Sequence, residues 1–303
     1  MKSAQSAALR RPVRPRRRLA VGKKKLNRSR AANAFIFLFL LAGAVFMDIP
    51  LVYTFVNAFK PLEEFFVFPP RFYVIHPTLE NFSDLSKLLS NMWVPLSRYL
   101  FNSVFVSAVA TVGCIVFTVM AAFVITKHDI PGKKLIDFLI VNAILFTGKV
   151  IGVPQYIVLS SMNWIDSFMA LLAPMLCMPL GMFLIRQFMD MVPDEIIESG
   201  RIDGAGELRI CWKIVAPMVR PAGITVSIFV FQSIWNYSSS TAFIYTESLK
   251  TLPNVLSQVS NGTMARAGVE AVAALIILLP PILFFIIFQR RIIETMSSSG
   301  IKG

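Results

Sequence analysis

The chain has 303 residues, 55% of them hydrophobic and 16% charged, with 26 Phe and a mean hydropathy of +0.65. Ordinary soluble domains carry about 25% charged residues, so this composition argues against one and for a membrane protein. The net charge of +13 is local, because 12 of the 30 Lys and Arg lie within the first 30 residues and the other 18 nearly balance 17 Asp and Glu.

The basic tail, residues 1–33, has two readings. A run of Lys and Arg can meet nucleic acid. The preferred reading, with no nucleic-acid partner, is a cytoplasmic topology anchor that also touches anionic membrane lipid. It does not resemble a cleaved signal: the basic region is long, and no small-x-small site follows the apolar run from Ala34. Three scattered cysteines, Cys114, Cys177 and Cys211, offer neither a CxxC pair nor a metal site, and they read as small core hydrophobes.

A bilayer core of about 30 Å needs roughly 20 apolar residues per helix. Six stretches qualify, near 34–58, 99–126, 135–160, 167–189, 221–245 and 269–289. Asn142, Lys149, Pro154 and Pro174 interrupt the third and fourth, and broken helices at membrane depth line protein or water rather than lipid. With the N-terminus inside, the tail, 127–134, 190–220 (with Arg186) and 290–303 hold 23 basic residues, against six for 60–98, 161–166 and 246–268. The positive-inside rule then puts both termini in the cytoplasm. The expected fold is an all-α integral membrane protein with six transmembrane helices. Its parts are the tail 1–33, a first span with a long outer segment over 34–98, and a core of five spans over 99–303 carrying a cytoplasmic loop at 190–220. The aromatic cluster of the outer segment, from Phe59 to Pro70, suits the head-group region.

The loop at 190–220 is the charged interlude of an apolar chain. Pro193 suits a helix start, and Asp194 and Glu195 fall in the first turn, where the helix dipole favours acids. Ile196, Ile197 and Gly200 form an apolar strip, Asp203-Gly204 signals a turn, and a second helix should run from Gly206 until Pro217 stops it. Such a helix-turn-helix presents a ridge to a partner's groove, or is a plain membrane-surface linker.

Glu198-Ser-Gly-Arg-Ile-Asp203-Gly204-Ala205, with Pro217 twelve positions further on, resembles the signature loop of the permease subunits of bacterial ABC importers. The departure is Ser199-Gly200, where the family usually has two alanines. Phe59-Lys-Pro, Pro69-Pro70, Pro77-Thr-Leu-Glu-Asn81, Asn102-Ser103, Pro131-Gly-Lys-Lys134 and Ser298-Ser-Gly-Ile-Lys-Gly303, in this order, are similar to the second permease of maltose-type carbohydrate importers. The resemblance covers nearly everything after residue 34. It implies a type I importer permease fold in the bacterial inner membrane, with a cytoplasmic coupling helix. Glu198, Ser199, Gly200, Asp203, Gly204, Ala205 and Pro217 would then be the ATPase-coupling residues. Implied partners are a second homologous permease, two ATPase subunits and an extracytoplasmic sugar-binding protein. The segment Glu247–Gln258 resembles the loop facing that binding protein, through Thr251, Asn254 and Ser257.

No cofactor is expected on this chain, with ATP and Mg on the ATPase subunits. The nearest echo of a phosphate loop, Gly148-Lys149, has no glycine five residues before it and Val150 in place of a hydroxyl. For the substrate pathway, Gln232, Ser233, Trp235, Asn236 and Tyr237 combine amides, hydroxyls and aromatic faces, which suit sugars and equally suit helix packing. Lys149, mid-way in the third span, is either a cavity cation, paired with Asp137, Asp166 or an acidic oligosaccharide, or a snorkelling side chain. The expected function is import of a carbohydrate, an oligosaccharide above all, by alternating access. The rival is a secondary transporter of a small polar solute, which would show paired repeats and several ionisable residues in its spans.

Overall fold

The computed structural model describes residues 30–146, 148–237, 242–260 and 266–299, all helix and connecting segments with no strand among them. The chain divides into a unit ending at Ile49 and a unit beginning at Pro50. In the first, residues 31–49 are the opening of helix α1 (Arg30–Ala58), exposed throughout and apolar but for Asn33 and Asp48. A helix with no polar face and no covered side has the surface that lipid accepts.

In the second unit the end of α1 leads into a folded segment rather than a loose loop. Two short helices, α2 (Leu62–Phe65) and α3 (Glu80–Ser90), are tied back by buried polar side chains. Lys60 donates to the Arg71 carbonyl at 3.0 Å, and the Glu64 carboxylate accepts from the Ile75 and His76 N–H groups. Asn81 donates to the Ala58 and Lys60 carbonyls at 3.1 and 2.8 Å. Buried polar groups are tolerable only when so paired.

Helix α4 (Leu96–Lys127) is the axis of the fold. No proline falls within its 32 residues, and it rises about 48 Å at 1.5 Å per residue. Helices α5 (Lys133–Leu145) and α6 (Gly148–Ser161) form a bent pair in place of one straight span, in keeping with the interruptions expected there. Helices α7 (Phe168–Met175) and α8 (Pro179–Asp190) together fill the fourth expected span, and Pro179 opens the second of them. Helix α9 (Asp194–Ile202) is followed by one turn of α10 (Glu207–Arg209), a π-helical stretch Ile210–Val215, and α11 (Ala216–Met218). Then come α12 (Arg220–Trp235), a 3-10 turn Glu247–Leu249, α13 (Leu252–Ser260) and α14 (Ala267–Ser299). Helix α4 packs against α7, α8, α12 and α13, and α14 against α3, α12 and α13.

Among the described residues four helices are long and apolar enough to cross a membrane, or up to six if each bent pair counts as one span. Two expectations need correction. The fifth span does not reach Tyr245: α12 ends at Trp235, and about 24 Å of helix is short of a bilayer core. The segment before it, Glu207–Met218, meets α12 at an 82° bend. Pro217 does not stop the second loop helix either. It sits inside α11, and the break comes at Val219. A helical proline cannot donate to the carbonyl four residues back and crowds it. Here the preceding turn widens, with the Ala216 N–H bonded to the Cys211 carbonyl five residues back, and a π-bulge absorbs the misfit.

Trp235 shows a related device. Pro281, inside α14, leaves the Ile277 carbonyl without its helical donor, and the Trp235 indole N–H bonds to that oxygen at 2.9 Å.

Candidate functional site

Local sequence rules produce the loop 193–219 almost completely. Pro193 is the extended N-cap of α9, with Asp194 and Glu195 in its first turn. The helix ends in a Schellman motif: the Ala205 N–H bonds to the Gly200 carbonyl and the Gly204 N–H to the Arg201 carbonyl, both at 3.0 Å. Gly204 has φ +77°, a conformation that costs any residue with a Cβ roughly 1–2 kcal/mol. The buried stripe is Ile197 and Gly200, packed on Ile210, Cys211 and Val215, while Glu198, Ser199 and Asp203 are exposed. A Cβ on Gly200 would stand 2.9 Å from Ile214 Cδ1, the movable end of a side chain that must shift to admit it. Ala205 is half-buried and Pro217 exposed.

Three side chains that the sequence reading did not single out hold this loop to the end of α4. Lys127, the last residue of α4, donates to the Val192 carbonyl at 2.6 Å and to Asp194 Oδ1 at 2.8 Å. His128 Nε2 lies 3.2 Å from Glu207 Oε2, and its ring packs edge-on against Phe123. The other Glu207 oxygen accepts from Arg201 Nε at 2.7 Å. Glu207 is therefore shared between the first loop helix and the residue after α4. Arg201's hydrogen bond, opposed by partial burial and helped by the charges of Arg201 and His128, holds the Glu207 carboxyl below its usual range. Lys127 does the same for Asp194. The available signal was Lys-His directly beyond an apolar run, but its partners lie 65 or more residues away.

The other end of α4 grips the segment that opens α13. Asn102 is fully buried and donates to the Ser248 and Lys250 carbonyls at 2.8 and 2.9 Å. The Leu252 N–H donates to Ser103 Oγ at 2.7 Å, and the Tyr99 hydroxyl donates to Glu247 Oε1 at 3.2 Å. Of the three residues expected to face a binding protein, Thr251 and Asn254 are buried and Ser257 is half-buried.

The expected pathway residues do not form one cluster. Gln232 and Ser233 lie exposed on α12 and Asn236 just beyond it. Trp235 is 3% exposed and committed to Ile277, and Tyr237 hydrogen-bonds with Gln155 while stacking on Phe243. The Lys149 side chain lies outside the described residues. Both acids suggested as its partners are engaged elsewhere. Asp137 takes two bonds from Arg186, and Asp166 accepts from the Tyr245 N–H and from the Thr246 N–H and hydroxyl.

A family model described as "Binding-protein-dependent transport system inner membrane component" matches residues 31–298, nearly the whole chain. The chain belongs to that family. It is thus a multi-pass permease of the inner membrane, the membrane component of a binding-protein-dependent ABC importer, and ATP hydrolysis is the work of partner subunits. Membership removes the secondary-transporter reading. Among curated relatives, protein LplC of Bacillus subtilis is 28% identical over 289 residues, covering 88% of this chain and 93% of that one. The polygalacturonan/rhamnogalacturonan transport system permease protein YtcP of the same organism is 29% identical over 218 residues, 72% of this chain and 73% of that one. A chain in the crystal structure of a bacterial ABC transporter involved in the import of the acidic polysaccharide alginate superposes with a TM-score of 0.68. It is 18% identical and covers 87% of this permease and 98% of that chain, a likeness of fold.

Proposed function

We propose that this permease forms half of the translocation pathway of an importer for an acidic oligosaccharide, beside a second homologous permease and two ATPase subunits. The loop 190–220 is the coupling element. The observation that carries this is the division of its surface: Ile197 and Gly200 bury the loop helix on its own chain, while Glu198, Ser199 and Asp203 stay exposed beside a Gly204 turn. That is a ridge built to enter a partner's groove. The basic tail and the loop then face the cytoplasm, as the distribution of Lys and Arg supports, and residues 247–258 face the sugar-binding protein on the other side. The parts at 1–33, 34–98 and 99–303 remain the proposed organisation of the chain.

Two relatives support the substrate class, one named for polygalacturonan/rhamnogalacturonan and one for the acidic polysaccharide alginate. Lys149, on helix α6 and in an apolar stretch of sequence, supplies the matching charge. Gln232, Ser233, Asn236 and Tyr237 are the proposed neutral contacts, with Trp235 placing them by anchoring the end of α12.

Uptake by the complete importer in proteoliposomes tests both parts. Glu198→Ala is expected to lower ATPase co-purification and transport together. Lys149→Gly is expected to lower uptake of an oligogalacturonate at least tenfold more than uptake of a neutral malto-oligosaccharide. Equal effects on the two sugars would remove the acidic assignment and leave the coupling role standing.

A further inference from the structure

We infer that α4 is the rod through which the coupling loop and the segment 247–258 move together, with Lys127, His128, Asn102 and Ser103 as its positioning residues. This rests on the coupling reading of the loop 190–220. Four observations carry the rod itself. Helix α4 is unbroken over 32 residues. At one end it holds the loop twice, through Lys127 to Val192 and Asp194 and through His128 to Glu207. At the other it holds three backbone groups within five residues, the Ser248 and Lys250 carbonyls and the Leu252 N–H. Between the ends its polar residues Ser107, Thr111 and Thr118 are buried against neighbouring helices, so the body of the helix is gripped along its length.

The chemistry of each joint suits the task. Glu207 is clamped between Arg201 of α9 and His128, so a displacement of α9 is carried into the residue that follows α4 without passing through α10 alone. Among the described residues His128 Nδ1 is buried without a hydrogen-bond partner, so the ring meets Glu207 through Nε2 only. A glutamine amide can supply the same single donor, whereas alanine cannot. At the far joint a primary amide spans two carbonyls and a hydroxyl takes the next N–H, a connection with no free rotor between helix and segment. Packed helices shift as bodies between discrete arrangements, and coupling between distant faces then requires an element that both faces bias.

The test uses the complete importer in nanodiscs, where both faces are open to reagent, with the exposed Cys177 replaced by Ser and a reporter cysteine at Ser248→Cys. The quantity read is the rate of maleimide labelling with ATP and vanadate divided by the rate without nucleotide. We expect this ratio to depart from one in the reporter protein, and to fall at least threefold toward one in His128→Ala. His128→Gln should restore at least half of the response, an outcome that loss of packing against Phe123 would not give. Asn102→Ala, or Ser103→Ala if the first fails to assemble, should lower the response similarly. The double variant His128→Ala with Asn102→Ala should be little worse than the poorer single variant, because two weakened joints of one path are not independent. Losses that multiply, a full response in His128→Ala, or a reporter unmoved by nucleotide would each overturn the rod. Absence of the ATPase from the purified reporter complex would overturn the coupling reading, and the rod with it.

Discussion

At Lys127 and His128, α4 meets its neighbours through charged or titratable groups that remain partly in water. At Tyr99, Asn102 and Ser103 it meets them through buried amide and hydroxyl groups, aimed mostly at backbone. The Asp194 side chain is 76% exposed against 6% for its partner Lys127, whereas Asn102 is wholly buried and Ser103 nearly so. A pair with one well-exposed partner, as Asp194 is to Lys127, gains less because water competes for that partner, while a buried donor that loses its acceptor has no water to replace it. The two ends therefore differ in what breaking them costs. The end beside the loop 190–220 yields more cheaply, and the end beside 247–258 is the firmer anchor.

The comparison is sharpest where it predicts the largest loss. Asn102→Ala takes the amide donor from two part-buried carbonyls, leaving Ser248 only its longer bond from Arg98 Nε at 3.4 Å and Lys250 without that donor, a loss of up to about 1–3 kcal/mol for a carbonyl that water does not reach. Its thermal melting midpoint in detergent should fall furthest of the variants considered, and a midpoint near that of the parent would show that the anchor is not an anchor. Gly200→Leu comes next, on the loop side. Its Cβ alone stands 2.9 Å from Ile214 Cδ1, and overpacking of this kind costs about 1–3 kcal/mol. Because Ile214 ends in a rotatable group, part of the strain is relieved, and Gly200→Ala should be much milder. ATPase co-purification across the pair Ala and Leu checks that the loss tracks side-chain size.

Asp166 offers a third, smaller test away from both ends. The hydroxyl of Thr246 and then its N–H lower the Asp166 carboxyl below its ordinary range, against partial burial, and the Tyr245 N–H adds to the effect. A carboxylate depressed in the folded state stabilises it fully above the unfolded value of about 3.9, and that contribution disappears as pH falls through the lower folded value. At pH 7, Asp166→Asn should melt a few degrees below the parent. The difference should close as the pH falls below the ordinary aspartate range, and a gap that persists at acid pH would mean that the aspartate charge is not what holds Tyr245 and Thr246.

The parts of this fold that follow local rules were legible in the sequence. Hydropathy located α1, α4, the α7–α8 pair and α14, and Pro193, Asp203 and Gly204 marked both ends of α9. The end of α12 was not legible. Phe243 and Ile244 are apolar and buried, so they extend an apolar run past Trp235, yet they lie outside any α-helix, with the backbone that follows held by Asp166. Hydropathy reports burial, not backbone conformation. The widened turn before Pro217 was hidden for another reason. A proline announces a missing donor, but whether the helix stops or bulges depends on the packing of Ile210, Cys211 and Val215 on the core. In the proposed coupling site, the exposed acids were readable from their spacing, while the clamp of Glu207 by Arg201 and His128 arises only when residues about 80 apart are folded together.

Asp194→Asn is the smallest expected effect and the most exacting check on the comparison. The substitution keeps the shape of the side chain and removes its charge, and Lys127 keeps its bond to the Val192 carbonyl at 2.6 Å. If the loop end of α4 is a yielding joint, the melting midpoint should fall less than in any variant above. The residual difference from the parent should shrink further as salt is raised from about 0.1 M to 1 M, where the screening length drops from about 10 Å to 3 Å. Lys127→Met should cost more than Asp194→Asn, because it leaves the Val192 carbonyl without its donor as well, and adding Asp194→Asn to Lys127→Met should cost little further. A deep, salt-insensitive loss in Asp194→Asn would make both ends of α4 anchors of the same kind, and the asymmetry between them would be gone.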